Sequence, residues 1–94
     1  MKIYIAGRIT GNPDYKNQFT EAEYKIKAAG HIPLNPVKGE GFSYKDYIDM
    51  GLCELMKCDA IYLLKGWNRS EGAYLEYTYA TTVGLKIFMQ EAEL

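Results

Sequence analysis

Short runs of β-branched and aromatic residues alternate along this chain with longer stretches whose apolar positions recur every three or four residues. The runs Lys2 to Ala6, a weaker His31 to Leu34, Ala60 to Leu64, and Lys86 to Met89 read as strands. Between the first two, Phe19, Ala22, Glu23, Ile26 and Ala29 fall at helical spacing, and Gly30 follows as a left-handed terminator. A second helix is predicted to start with Ser43 as N-cap and Asp46 in its first turn. It is expected to bury Ile48, Leu52, Leu55 and Met56 on one face. A third, Glu71 to Val83, follows the loop Gly66-Trp67-Asn68-Arg69-Ser70 and stops at Gly84.

The resulting order, β-α-β-α-β-α-β, predicts a small parallel sheet of about four strands with right-handed crossovers and helices on both faces. The fold class is α/β, a Rossmann-like or flavodoxin-like three-layer sandwich. At 94 residues the chain has room for one core, so residues 1–94 are expected to form a single domain. In such sheets ligands bind outside the carboxyl ends of the strands, where strand order reverses. The loops that follow the strands are therefore the places to look for chemistry.

Composition narrows the ligand. Hydrophobic residues make up 48% and charged residues 24%, ordinary for an ordered globular protein. The formal net charge is −1, with Lys and Arg scattered, which leaves no footprint for a nucleic-acid polymer and suits a small molecule. No stretch approaches the roughly 18 apolar residues of a membrane helix. Met1-Lys2 runs into a strand rather than a signal peptide, so cytoplasmic residence without membrane contact is the expectation. Cys53 and Cys58 point to different faces and read as small buried hydrophobes rather than a disulfide. With one histidine and no CxxC spacing, neither a metal site nor a cofactor is expected.

Three loops carry candidate chemistry. Ala6-Gly7-Arg8-Ile9-Thr10-Gly11-Asn12-Pro13 lacks the GxGxxG spacing of a dinucleotide fingerprint. Its glycines permit close backbone approach and Arg8 offers a forked donor, so it is either a cradle for a phosphate or sugar hydroxyl or a structural turn. Leu34-Asn35-Pro36 through Gly41 either places Asn35 at the site or crosses the top of the sheet. His31 stands at the wrong end of its strand and reads as a surface or capping residue. The third segment holds Trp67, Ser70, Gly72 and Glu76. Ser70 as helix cap, with the free N–H groups of the first turn, makes an anion site. Ala73, Tyr77, Ala80 and Gly84 form a small-residue stripe, and Glu76 falls at its edge rather than toward solvent. A carboxylate in such a place loses hydration and its pKa rises, which marks a functional candidate; the alternative is a half-exposed helix glutamate. Glu71, in the first turn, compensates the helix dipole.

Several of these segments together resemble the nucleoside 2-deoxyribosyltransferase-like superfamily, over nearly the whole chain. They are Ile3-Tyr4-Ile5-Ala6-Gly7-Arg8, Gly30-His31 with Asn35-Pro36, Cys58-Asp59-Ala60-Ile61, Gly66-Trp67, and Ser70-Glu71-Gly72-Ala73-Tyr74-Leu75-Glu76. The closest likeness is to the small unassigned prokaryotic and phage branch. The resemblance implies a glutamate nucleophile, Glu76, that attacks the anomeric carbon of a deoxyribosyl group and forms a covalent glycosyl-enzyme. It also implies that Ser70 contacts a phosphate where the substrate is a monophosphate.

Two positions depart from the pattern. Relatives commonly carry an aspartate against the leaving base where this chain has Gly51, and monophosphate enzymes place Ser and then Arg where it has Arg8 and then Thr10. Tyr44 and Tyr47 approach the ligand or serve packing, and Trp67 forms an aromatic wall for a base or belongs to the core. Nine tyrosines are more than one small core hides, and with the family resemblance they imply a homo-oligomer. The expectation is an enzyme acting at the N-glycosidic bond of a deoxyribonucleoside or its 5′-monophosphate. Glu76 is the catalytic residue, and Gly7, Arg8, Thr10, Asn35, Trp67, Ser70 and Gly72 bind substrate. The alternative is a nucleoside- or nucleotide-binding module with little turnover.

Overall fold

Four parallel strands, in the order β2-β1-β3-β4, form the central layer. The structure is a computed structural model that describes residues 1–37 and 41–90. The elements are β1 (Lys2–Ala6), α1 (Tyr15–Ala28), β2 (Ile32–Leu34), α2 (Tyr44–Leu55), β3 (Ala60–Leu63), a short 3-10 turn (Trp67–Arg69), α3 (Glu71–Val83) and β4 (Lys86–Met89). The chain winds outward from β1 to β2 and then returns past β1 to β3. The topological switch point therefore lies between β1 and β3, at their carboxyl ends.

The strands read as continuous apolar runs because both faces of the sheet are covered. Alternate residues serve opposite layers. Ile3, Ile5, Ala60, Tyr62 and Leu64 pack against Phe19, Ala22 and Ile26 of α1. Tyr4, Ala6, Ile61 and Leu63 pack against Leu55 at the end of α2 and Ala73 and Ala80 of α3. This is the α/β, flavodoxin-like arrangement in three layers that the element order predicts.

Local chemistry sets the helix ends where the pattern places them. Ser43 and Asp46 form a reciprocal capping box at the start of α2, and the Ser70 hydroxyl accepts from the Ala73 amide at 3.2 Å at the start of α3. Gly30 and Gly84, both at positive φ, close α1 and α3 with the paired 6→1 and 5→2 bonds of a Schellman motif. Two burial expectations are corrected. Met56 is exposed because α2 ends at Leu55; the chain turns there, and Cys58 fills the buried place instead. Cys53 is exposed because it lies about 200° around the helix from Leu55, whereas Cys58 is buried. Ile48 and Leu52 are half-buried. Among the described residues no helix is long and apolar enough to cross a membrane.

Candidate functional site

A cavity of about 250 Å³ opens over the carboxyl end of β1. Each surrounding element contributes wall: Tyr4 from β1, Gly7, Ile9 and Thr10 from the loop after it, and Tyr15 and Phe19 from α1. Pro36 and Val37 follow β2, Tyr44, Tyr47 and Ile48 come from the first turns of α2, and Ser70, Gly72, Ala73 and Glu76 come from α3. The lining is mostly apolar and aromatic with a few convergent polar groups, the usual make-up of a small-molecule site.

Glu76 is the buried charged residue of the described chain, 9% exposed. It sits one turn inside α3 with its carboxylate turned toward the sheet. There the Tyr4 hydroxyl donates a hydrogen bond to Oε2. Burial pushes the Glu76 carboxyl up to about 7; the Tyr4 hydrogen bond opposes that rise and the negative charge of Glu54 adds to it. Burial and the neighbouring Glu76 carboxylate raise Tyr4 as well, so the phenol keeps its proton and acts as donor. Near neutral pH the pair thus holds a carboxylate close to its ionisation midpoint.

Gly51 explains how α2 lies so close to this pair. A Cβ at that position would stand 2.6 Å from Glu76 Oε2 and 2.7 Å from the Tyr4 hydroxyl oxygen. Gly72 has a related part at the mouth, where an added Cβ would stand 2.9 Å from Ile48 Cδ1. The first turns of α2 and α3 are drawn together there, with the Tyr44 hydroxyl nearby.

The structure brings together Gly7, Thr10, Ser70, Gly72 and Glu76 in the lining of one cavity, along with Tyr44 and Tyr47. Three further candidates lie elsewhere. Arg8 turns into its own loop, its Nε donating to the Thr10 carbonyl at 3.1 Å. Asn35 accepts from the Val37 amide at 3.0 Å and shapes the loop, while its neighbours Pro36 and Val37 line the cavity. Trp67 stacks in the aromatic cluster of α3, with ring centroids 4.6 Å from Tyr77 and 5.9 Å from Tyr74, and packs against the core on that side. Sequence reasoning passed over Tyr4, Tyr15 and Phe19 as site residues. Tyr4 has a readable signal: it is a polar-tipped aromatic between Ile3 and Ile5, in the middle of the strand that leads into the glycine loop. Among the described residues no group of three or more His, Cys, Asp or Glu side chains is placed to hold a metal.

These elements define a flavodoxin-like α/β domain with a carboxylate-bearing cavity at its switch point. The chain belongs to the family described as Domain of unknown function (DUF4406), whose model matches residues 1–89. No curated protein matches its sequence. Solved structures do match the fold. The CMP N-glycosidase BcmB of Clostridium botulinum superposes with a TM-score of 0.69 at 16% identity, over 95% of this chain and 70% of that one. A 2-desoxiribosyltransferase from Leishmania mexicana gives 0.74 at 22% identity, over 94% and 62%. The 2-deoxyribosyltransferase of Bacillus psychrosaccharolyticus gives 0.74 at 19% identity, over 95% and 71%. The chain thus spans 62% to 71% of the length of these two transferases. Its fold is that of the nucleoside 2-deoxyribosyltransferase-like proteins it resembles in sequence.

Proposed function

We propose that this protein cleaves or transfers the N-glycosidic bond of a deoxyribonucleoside, with Glu76 as nucleophile. The observation that carries the reading is the Glu76 carboxylate in the cavity wall, oriented by Tyr4 at the switch point of the fold. A carboxylate oxygen of Glu76 forms a bond to the anomeric carbon as the bond to the base nitrogen breaks. The departing base takes the electron pair and a proton from solvent. Water, or a second base, then displaces Glu76 from the sugar, so the anomeric configuration is retained overall. Thr10, Ser70 and the Tyr44 hydroxyl are polar lining groups suited to the sugar, and the apolar side chains of Ile48, Phe19 and Val37 suit a base.

The lining favours the nucleoside over its 5′-monophosphate. A phosphate brings about −1.5 to −2 charges at neutral pH. Among the described lining residues there is no Lys, Arg or His, and the ionisable carboxyl present is of the same sign. The small-molecule partner in this reading is a deoxyribonucleoside, and self-association of the chain belongs to the same reading. Incubation with a panel of deoxyribonucleosides and monophosphates, with and without an acceptor base, followed by chromatography for free or exchanged base, tests it. Turnover that survives Glu76→Gln would sink the nucleophile assignment. A second reading, a nucleoside-binding module with little turnover, draws on Gly51, which leaves α2 without an acid for the leaving base. Calorimetric binding with no product after long incubation would favour it.

A further inference from the structure

Gly51 lies inside α2, where glycine is a poor helix former. Its backbone does not call for one, since the glycines at positive φ are Gly11, Gly30, Gly41, Gly66 and Gly84. Space does call for one. Gly51 is buried, and the atoms an added Cβ would meet, Glu76 Oε2 and the Tyr4 hydroxyl oxygen, are already bonded to each other. Tyr4 is 1% exposed and fixed in the sheet, so its ring has nowhere to retreat.

We propose that Gly51 is a positioning residue for Glu76: its missing side chain is the room the Tyr4–Glu76 pair occupies, and an aspartate there dislodges the pair instead of supplying an acid. The catalytic part of this inference rests on Glu76 being the nucleophile; the packing part rests on the geometry alone. The titratable groups that bear on Glu76 are Tyr4 on β1 and Glu54 on α2, and an aspartate at 51 sets a further negative charge against the same carboxylate. Gly51 also lets α2 lie over the pair and keep water from it, which makes the glycine an indirect determinant of where Glu76 titrates.

A mutant cycle in thermal unfolding separates crowding from any other effect of the substitution. Gly51→Ala is expected to lower the Tm even though alanine is the better helix former. In a background that carries both Tyr4→Phe and Glu76→Ala, and so lacks both oxygens that the new methyl meets, the same change is expected to lower the Tm by less than half as much. Equal losses in the two backgrounds, including failure to fold in both, overturn the proposal. Carboxyl-carbon NMR of Glu76 supplies a readout that a generic packing defect would not move. Its midpoint is expected to shift by at least half a pH unit in Gly51→Ala and to stay in place in Cys53→Ala, at an exposed position of α2. An unmoved midpoint in Gly51→Ala counts against the proposal. With a deoxyribonucleoside substrate, Gly51→Asp is expected to lower kcat at least tenfold, and a rise in kcat would overturn the inference. If the wild-type chain turns over no nucleoside, the N-glycosidic reading fails while the cycle and the NMR titration still decide the role of Gly51.

Discussion

Glu76 carries a carboxyl into a place where water reaches 9% of its surface, and the two protonation states feel that differently. Its folded pKa of about 7 stands above the ordinary 4.5. The protonated form is therefore the one the fold favours. That stability is fully present below about pH 4.5 and is lost as pH rises through 7, a difference on the order of 3 kcal/mol. Glu76→Gln is expected to abolish this pH dependence and to leave the protein more stable than wild type at pH 8, which urea unfolding at several pH values measures. The nucleophilic role proposed for Glu76 needs the ionised form, so turnover is expected to climb through about pH 7 in the wild type. Removing the Tyr4 hydroxyl removes the interaction that opposes the rise. Tyr4→Phe should accordingly move the midpoint of the pH–rate profile upward and lower activity at pH 7. At this scale the sequence was partly legible. Helical spacing places Glu76 off the solvent face, but no spacing rule reveals that its partner is a tyrosine 72 positions away.

Helix boundaries depend on short-range chemistry, and they were the most legible feature at the level of elements. Ser43, Ser70, Gly30 and Gly84 act within a few residues of themselves, so sequence alone suffices to assign their roles. Ser43→Ala removes half of the capping box and is expected to cost about 1 kcal/mol without touching the core. Ser70→Ala should cost a similar amount and also weaken ligand binding, because the same residue lines the cavity; calorimetry on both variants distinguishes them. Loop side chains were less legible for the opposite reason. Arg8 and Asn35 are polar residues in the right loops, yet each satisfies a backbone group of its own loop. Local competition of this kind is invisible to a pattern of residue types. Trp67 goes to the aromatic cluster because Tyr74 and Tyr77 offer it partners on α3, a contact that depends on where the turn before α3 aims it.

Core and cavity share walls across the whole molecule. Phe19 is fully buried against the sheet and also lines the site, so stability and binding draw on the same side chain. Phe19→Ala is expected to remove about 3 to 5 kcal/mol, a large part of the roughly 5 to 15 kcal/mol that holds a small domain together. Chemical unfolding should show that loss as a lower denaturation midpoint, with a bound nucleoside restoring part of it. On α3, Tyr74, Leu75 and Val83 stay about half exposed, and sedimentation of the purified chain checks the self-association that such exposed apolar side chains suggest. The central position of β1 has a consequence for synthesis. Made first, it pairs with β2 soon afterwards, but its other edge waits for β3, which begins at Ala60. On the ribosome an apolar strand therefore stays half-paired while much of the chain is translated. The Tyr4–Glu76 hydrogen bond comes into being later still, once α3 has emerged, so a nascent chain that ends before α3 carries Tyr4 without its partner.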